Sequence, residues 1–128
     1  TPLYSNTTLM PMLMALVHGG RAVMMPKFDA VEILMDIPMD LSGMHVIIME
    51  DIVDTGNTLE ELYKILSTKN AKSIKIATLL YKPEAYKKSL NIDLIALTIP
   101  DKFVVGYGLD YDGLGRNLPD IYQIKTEE

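Results

Sequence analysis

Three acids, Glu50, Asp51 and Asp54, lie within five positions and run directly into the small polar residues Thr55, Gly56, Asn57 and Thr58. Carboxylates accept hydrogen bonds from vicinal hydroxyls and bind hard cations. A loop of glycine and hydroxyl residues ahead of a helix offers N–H and O–H donors that suit phosphate. Acids beside a phosphate cradle are unfavourable unless something cationic or hydroxyl-bearing lies between them, and a sugar phosphate with a bound metal satisfies both. On residue types alone, Glu50 and Asp51 read equally well as the solvated end of a strand, Asp54 as a helix cap, and Thr55 to Thr58 as a capped turn.

The elements that must position these residues can be read around them. The apolar run Val46-Ile47-Ile48-Met49 predicts a buried parallel strand, with Glu50 and Asp51 at its end. Leu59, Leu62, Ile65 and Leu66 recur at helical spacing, so an amphipathic helix is expected over Thr58 to Ser67. The acids then fall at a strand's carboxyl end, where open α/β sheets bind ligands. Asn70 is placed where a left-handed residue ends a helix. Ser73 to Leu80 reads as a second buried strand, Ile92 to Thr98 as a third that Pro100 ends, and Leu118 to Ile124 as holding the last. Pro83 to Ser89 is a charged turn or short helix, and Leu41-Ser42-Gly43 a turn. Upstream, the apolar pattern of Leu9 to Val17 suits strand and helix alike, and the terminal His18-Gly19-Gly20 favours a strand feeding a tight turn. Arg21 to Met25 predicts a short helix stopped by Pro26, and Val31 to Ile37 a strand at the sheet edge. Strands alternating with helices or turns give an α/β fold with a mostly parallel sheet flanked by helices, in one domain over residues 1–128.

Composition narrows the function classes. The chain has 128 residues, 48% of them hydrophobic and 23% charged, the balance of an ordinary globular domain. Its net charge of -5, with no lysine or arginine block, disfavours a nucleic-acid partner. Cysteine is absent, which excludes disulfides and thiolate metal sites and fits a cytoplasmic location. No apolar run is long enough for a membrane span, and Leu9 to Val17 lacks the basic flank of a signal peptide. The nine methionines, five of them before residue 26, read as adaptable core filler rather than a functional cluster.

The string Glu50-Asp51-Ile52-Val53-Asp54-Thr55-Gly56-Asn57-Thr58 closely resembles the signature by which type I phosphoribosyltransferases bind 5-phosphoribosyl-1-pyrophosphate (PRPP). The later run Ile99-Pro100-Asp101-Lys102-Phe103-Val104-Val105-Gly106-Tyr107-Gly108-Leu109-Asp110-Tyr111 resembles the purine- and magnesium-binding segment of hypoxanthine/guanine phosphoribosyltransferases. The likeness is nearly continuous from about Val31 to Lys125.

It implies a type I phosphoribosyltransferase-like core, shortened relative to the family, and the salvage of hypoxanthine or guanine to IMP or GMP with release of pyrophosphate. It implies Mg²⁺ as cofactor and a homodimer or homotetramer. By the same resemblance, Glu50 and Asp51 hold the ribose hydroxyls directly or through magnesium, and Asp54 is the general base at purine N7. Asp54 to Thr58 cradle the 5'-phosphate, with Asn57 contributing mainly backbone. Lys82 contacts O6 and so selects 6-oxopurines over adenine, Phe103 stacks on the base, and Val104 meets the ring edge through its main chain. Asp110, in the same purine-binding segment, is a magnesium ligand, and Arg116 contacts pyrophosphate. His18-Gly19-Gly20 matches the pyrophosphate loop, with histidine where the family often has lysine. Without the resemblance, Lys82 reads as a solvated lysine and Phe103 as core packing.

The chain departs from the family between Gly20 and Glu50, where it has far fewer residues and no Ser-Tyr pair of the kind that closes the family's catalytic loop over the site. Two further readings therefore stand beside the enzyme. One is a regulatory or catalytically impaired module that binds PRPP or nucleotide without turnover. The other is a structural protein on the same fold, against which the clustered acids Glu50, Asp51, Asp54 and Asp110 argue.

Overall fold

The computed structural model describes residues 13–23 and 37–125. Two compact units divide the chain, one formed by Phe28–Asp101 and the other by Thr1–Lys27 with Lys102–Glu128.

In the first unit the β-branched run after Met44 forms β1, His45–Val53, and the amphipathic segment forms α1, Asn57–Ser67. Strands β2, Ser73–Tyr81, and β3, Leu94–Thr98, follow. All three strands are parallel, in the order β1-β2-β3, with Val53 beside Tyr81 and Tyr81 beside Thr98. A single register therefore brings the carboxyl ends of all three strands level. Leu59 and Leu66, two turns apart on α1, are buried with Leu41, Ile48, Val53 and Ile76. Complete burial of a leucine such as Leu80 is worth about 1.5–3 kcal/mol relative to exposure.

Chain breaks fall where the backbone needs them. Gly56, at φ 79°, caps α1 with no side-chain hydrogen bond, and its carbonyl accepts the Glu60 N–H. Asn70, at φ 59°, takes the left-handed conformation expected of it after the helix. The link from β2 to β3 contains no helix; it turns at Lys82, whose carbonyl accepts the Tyr86 N–H, and Tyr86 Oη donates to Leu90 O at 2.8 Å. It ends at Asp93, whose carboxylate accepts Lys75 Nζ at 2.7 Å and the Ile76 N–H at 2.9 Å.

Several expectations are corrected here. Strand β1 does not stop at Met49: its ladder continues to Val53, so Glu50 and Asp51 lie inside the strand. Nor is it buried on both faces, since Ile47 is 64% exposed. All five residues of β3, an outer strand of the three-stranded sheet, are exposed. The expected edge strand Val31 to Ile37 lies, apart from Ile37, outside the described residues.

In the second unit, residues 13–17 are helical rather than extended. Gly19, at φ 72°, and Gly20 end this turn, their N–H groups donating to Leu16 O and Ala15 O. A Gly-Gly pair suits a helix C-cap as well as a strand-ending turn, and here it is the former. Residues 21–23 are not helical, and Met24 and Met25 lie outside the described residues. Strands β4, Val104–Val105, and β5, Tyr122–Gln123, pair antiparallel, so the last strand does not extend the parallel sheet. Gly106 follows at φ 99°, and the carbonyl oxygen of Asp120 occupies the place a Cβ would take.

Candidate active site

The level carboxyl ends of β1, β2 and β3 each deliver an ionisable residue: Asp54 just past Val53, Lys82 just past Tyr81, and Asp101 shortly after Thr98. Hydrogen bonds continue the rungs beyond the ladder. The Lys82 N–H donates to Val53 O at 3.0 Å, and the Ile99 N–H to Tyr81 O at 2.9 Å.

Lys82 is the buried member of this group, its side chain only 8% exposed. Its Nζ donates to Asp54 Oδ2 at 3.1 Å and lies 3.5 Å from Asp101 Oδ1. The acids are 48% and 51% exposed, so solvent reaches both carboxylates while the ammonium between them is buried. A buried ammonium requires compensating charge, which explains why this lysine is not the solvated side chain its type suggests. Asp54 is not the cap of α1; Gly56 is, and the Asp54 carboxylate is aimed at Lys82 instead.

Glu50 pairs with Thr78 in the ladder, and Asp51 follows it in the same strand. Burial, and second the neighbouring charge of Asp51, push the Glu50 carboxyl up to about 7. Asp51 Oδ1 accepts the Ile52 N–H at 2.8 Å.

The loop from Thr55 to Thr58 lies between β1 and α1 and turns at the left-handed Gly56. The Tyr86 ring packs where a Cβ on Gly56 would stand, with Cδ2 at 2.9 Å, and Lys88 Cγ would be 3.1 Å away. Lys88 Nζ reaches Glu60 Oε2 at 3.0 Å, in the first turn of α1. The segment after β2 thus braces the loop from outside. Neither Tyr86 nor Asp101 was assigned a role from sequence. For Asp101 the signal was present: an acid just after a strand end, as Asp54 is. For Tyr86 only the turn at Lys82 reveals the contact.

The second unit carries the remaining sequence-identified residues. Phe103 is 53% exposed, its ring edge-on to Tyr111 at 5.2 Å, so it is not a core residue. Val104 is half-buried in β4, and Phe103 O accepts the Ile124 N–H. Asp110 pairs with Arg116 Nη2 and also accepts the Gly113 N–H at 2.7 Å, and Arg116 Nη1 donates to Gly108 O at 2.8 Å. In its helix-ending turn, His18 Nδ1 donates to Met14 O at 2.8 Å.

Among the described residues, no group of three or more histidine, aspartate or glutamate side chains forms a cage for a metal ion. Magnesium does not demand one, since it is commonly held by one or two carboxylates plus substrate phosphates and water. A carboxyl held near 7 by burial and by a second acid is a place where an added cation would restore ionisation, so Glu50 and Asp51 fit such an ion.

A phosphoribosyl transferase domain family model matches residues 24–112. The hypoxanthine-guanine phosphoribosyltransferase of Streptococcus pneumoniae is 44% identical over 91% of this chain and 62% of its own length. The hypoxanthine phosphoribosyltransferase of Escherichia coli K12 is 46% identical over 73% of this chain and 53% of its own. Among solved structures, the hypoxanthine phosphoribosyltransferase of Trypanosoma cruzi in complex with IMP superposes with a TM-score of 0.64 at 42% identity, covering 70% of this chain and 49% of that one. The corresponding protein of Staphylococcus aureus gives 0.63 at 43% identity, covering 67% and 47%. The chain spans between 53% and 62% of the length of these two curated relatives.

Proposed function

The chain belongs to the phosphoribosyl transferase domain family, and from that premise we propose that it transfers the 5-phosphoribosyl group of PRPP to hypoxanthine or guanine, giving IMP or GMP and pyrophosphate. The observation that carries this reading is the pair formed by Lys82 and Asp54 at the carboxyl edge of the sheet. A 6-oxopurine protonated at N7 presents an acceptor, O6, beside a donor, N7–H. A lysine donor beside an aspartate acceptor is the complement of that edge. Adenine presents an amino donor at the same place and would set it against the ammonium.

In this reading, base N9 attacks C1 of PRPP as pyrophosphate departs, and positive charge develops on the ribose ring. Asp54 takes the N7 proton as the glycosidic bond forms. Lys82 holds O6 and keeps the base in register. Glu50 and Asp51 accept from the ribose hydroxyls, and Thr55 to Thr58 donate to the 5'-phosphate. Glu50, Asp51 and Asp110 are the residues that would hold Mg²⁺, which when bound would supply charge neutralisation to the pyrophosphate. Arg116 and the turn His18-Gly19-Gly20 take the pyrophosphate, Phe103 stacks on the base, and the Val104 main chain meets its edge. The exposed apolar residues Ile47 on β1 and Leu94 on β3, 64% and 66% accessible, favour self-association as a homodimer or homotetramer.

The test is nucleotide formation by the purified chain with PRPP, Mg²⁺ and, separately, hypoxanthine, guanine, xanthine and adenine. Product from the 6-oxopurines and none from adenine is expected. Folded protein that binds PRPP and forms no nucleotide would replace this reading with that of a binding module.

A further inference from the structure

Lys82 has two counter-ions, and the reaction proposed above uses up only one of them. Asp54 becomes neutral as it accepts the N7 proton, and at that moment the buried ammonium loses the carboxylate 3.1 Å away. The cost of an uncompensated buried ammonium would then oppose the proton transfer. Asp101, at 3.5 Å, takes no part in that transfer. Its position is fixed by backbone: the Ile99 N–H is bonded to Tyr81 O, and Pro100 stiffens the single residue between.

We propose that Asp101 is a positioning residue, the second counter-ion that holds the Lys82 ammonium aimed at the C6 carbonyl of the purine while Asp54 works as the base. The inference rests on the reading of the site as a 6-oxopurine phosphoribosyltransferase. It assigns Asp101 no contact with substrate; its effect passes through Lys82. Three N–H donors on Lys82 suffice for the arrangement, one on Asp54, one facing Asp101 and one for O6.

The experiment measures steady-state kinetics and IMP affinity by calorimetry for the wild type, Asp101→Asn, Asp101→Glu, Lys82→Met and the double variant Lys82→Met/Asp101→Asn. For Asp101→Asn, kcat/KM for hypoxanthine is expected to fall about 10–100-fold while KM for PRPP stays within about twofold, the signature of a loss confined to the base subsite. Asp101→Glu should recover most of the loss. In the Lys82→Met background, Asp101→Asn should have no further effect, because its partner is already gone. Calorimetry reads the same coupling where turnover is too slow. Equal losses with and without Lys82, or parallel changes in both KM values, would overturn the role. A wild type that makes no nucleotide overturns the enzymatic reading and this inference together. An active wild type indifferent to Asp101→Asn overturns this inference alone. If Asp101→Asn does not fold, Asp101→Glu decides: hypoxanthine kinetics near the wild type support the role, and a loss shared by hypoxanthine and PRPP ends it.

Discussion

The ring of Tyr86 stands in the space that a side chain on Gly56 would fill, so the loop ahead of α1 is shaped by a residue 30 positions further along the chain. Glycine at position 56 answers two demands at once, a left-handed φ of 79° and close approach of an aromatic ring. For Gly56→Ala the backbone alone costs roughly 1–2 kcal/mol. Displacing the ring adds an overpacking cost of about 1–3 kcal/mol. Urea denaturation should show the sum of the two in Gly56→Ala. Adding Tyr86→Ala should remove the second part and leave the first, a non-additive cycle. Strict additivity would mean that the ring does not brace the loop.

Glu50 makes stability depend on pH. Its carboxyl is raised from 4.5 to about 7 by burial first and by Asp51 second, so the folded chain holds a proton that the unfolded chain has released. The stability associated with that proton is complete below about 4.5 and is lost as pH rises through about 7. The full linkage is on the order of 2–3 kcal/mol between those limits. Urea midpoints of Glu50→Gln should exceed those of the wild type at pH 8 and converge with them near pH 5. Added Mg²⁺ should narrow the gap at pH 8 if the ion binds at Glu50. A wild type whose midpoint does not fall from pH 5 to 8 would show that Glu50 ionises normally.

Much of the first unit was legible because its patterns are long. The β-branched apolar runs of β1 and β2 and the helical spacing of apolar residues in α1 extend over nine, nine and eleven residues, and the boundaries moved by few positions. Of the run from Leu9 to Val17, residues 13–17 are helical rather than extended and the rest lie outside the described residues; methionine, leucine and alanine suit a helix, and Gly19-Gly20 punctuates a helix end as readily as a strand end. The exposure of β3 could not be read from its composition, since an apolar edge strand and an apolar central strand are written alike. At the site, residue type identified Asp54 and Lys82 but not their ion pair. That pair depends on β1 and β2 sharing a register, and register is a property of two strands. Asp101 was hidden for the same reason, one strand further along.

Gly106 is predicted to be intolerant of any side chain. It combines φ 99° with the Asp120 carbonyl oxygen occupying its Cβ position, and that oxygen belongs to backbone that cannot rotate away. Gly106→Ala should therefore cost more than the roughly 1–2 kcal/mol of a left-handed alanine. The disturbance should centre on the turn beside β4 and β5. Amide exchange at Ile124, whose N–H donates to Phe103 O, is the local measurement. Faster exchange there is expected, and unchanged protection would show that the Asp120 backbone yields freely.

Asp54→Asn separates the base from the cradle. Asparagine keeps the shape of the side chain and an oxygen that can accept from Lys82 Nζ, but it cannot take a proton from purine N7. It also leaves Thr55 to Thr58 and the Gly56 turn untouched. Removing a general base typically costs about 10²–10⁴-fold in rate. The expected result is a fall of that order in kcat with hypoxanthine, while PRPP affinity, measured by calorimetry without base, changes little. Substituting the neutral amide also leaves Lys82 with Asp101 as its sole carboxylate partner among the described residues, so stability should drop modestly rather than collapse. Equal losses of rate and of PRPP binding would place Asp54 in the phosphate cradle and remove it from proton transfer.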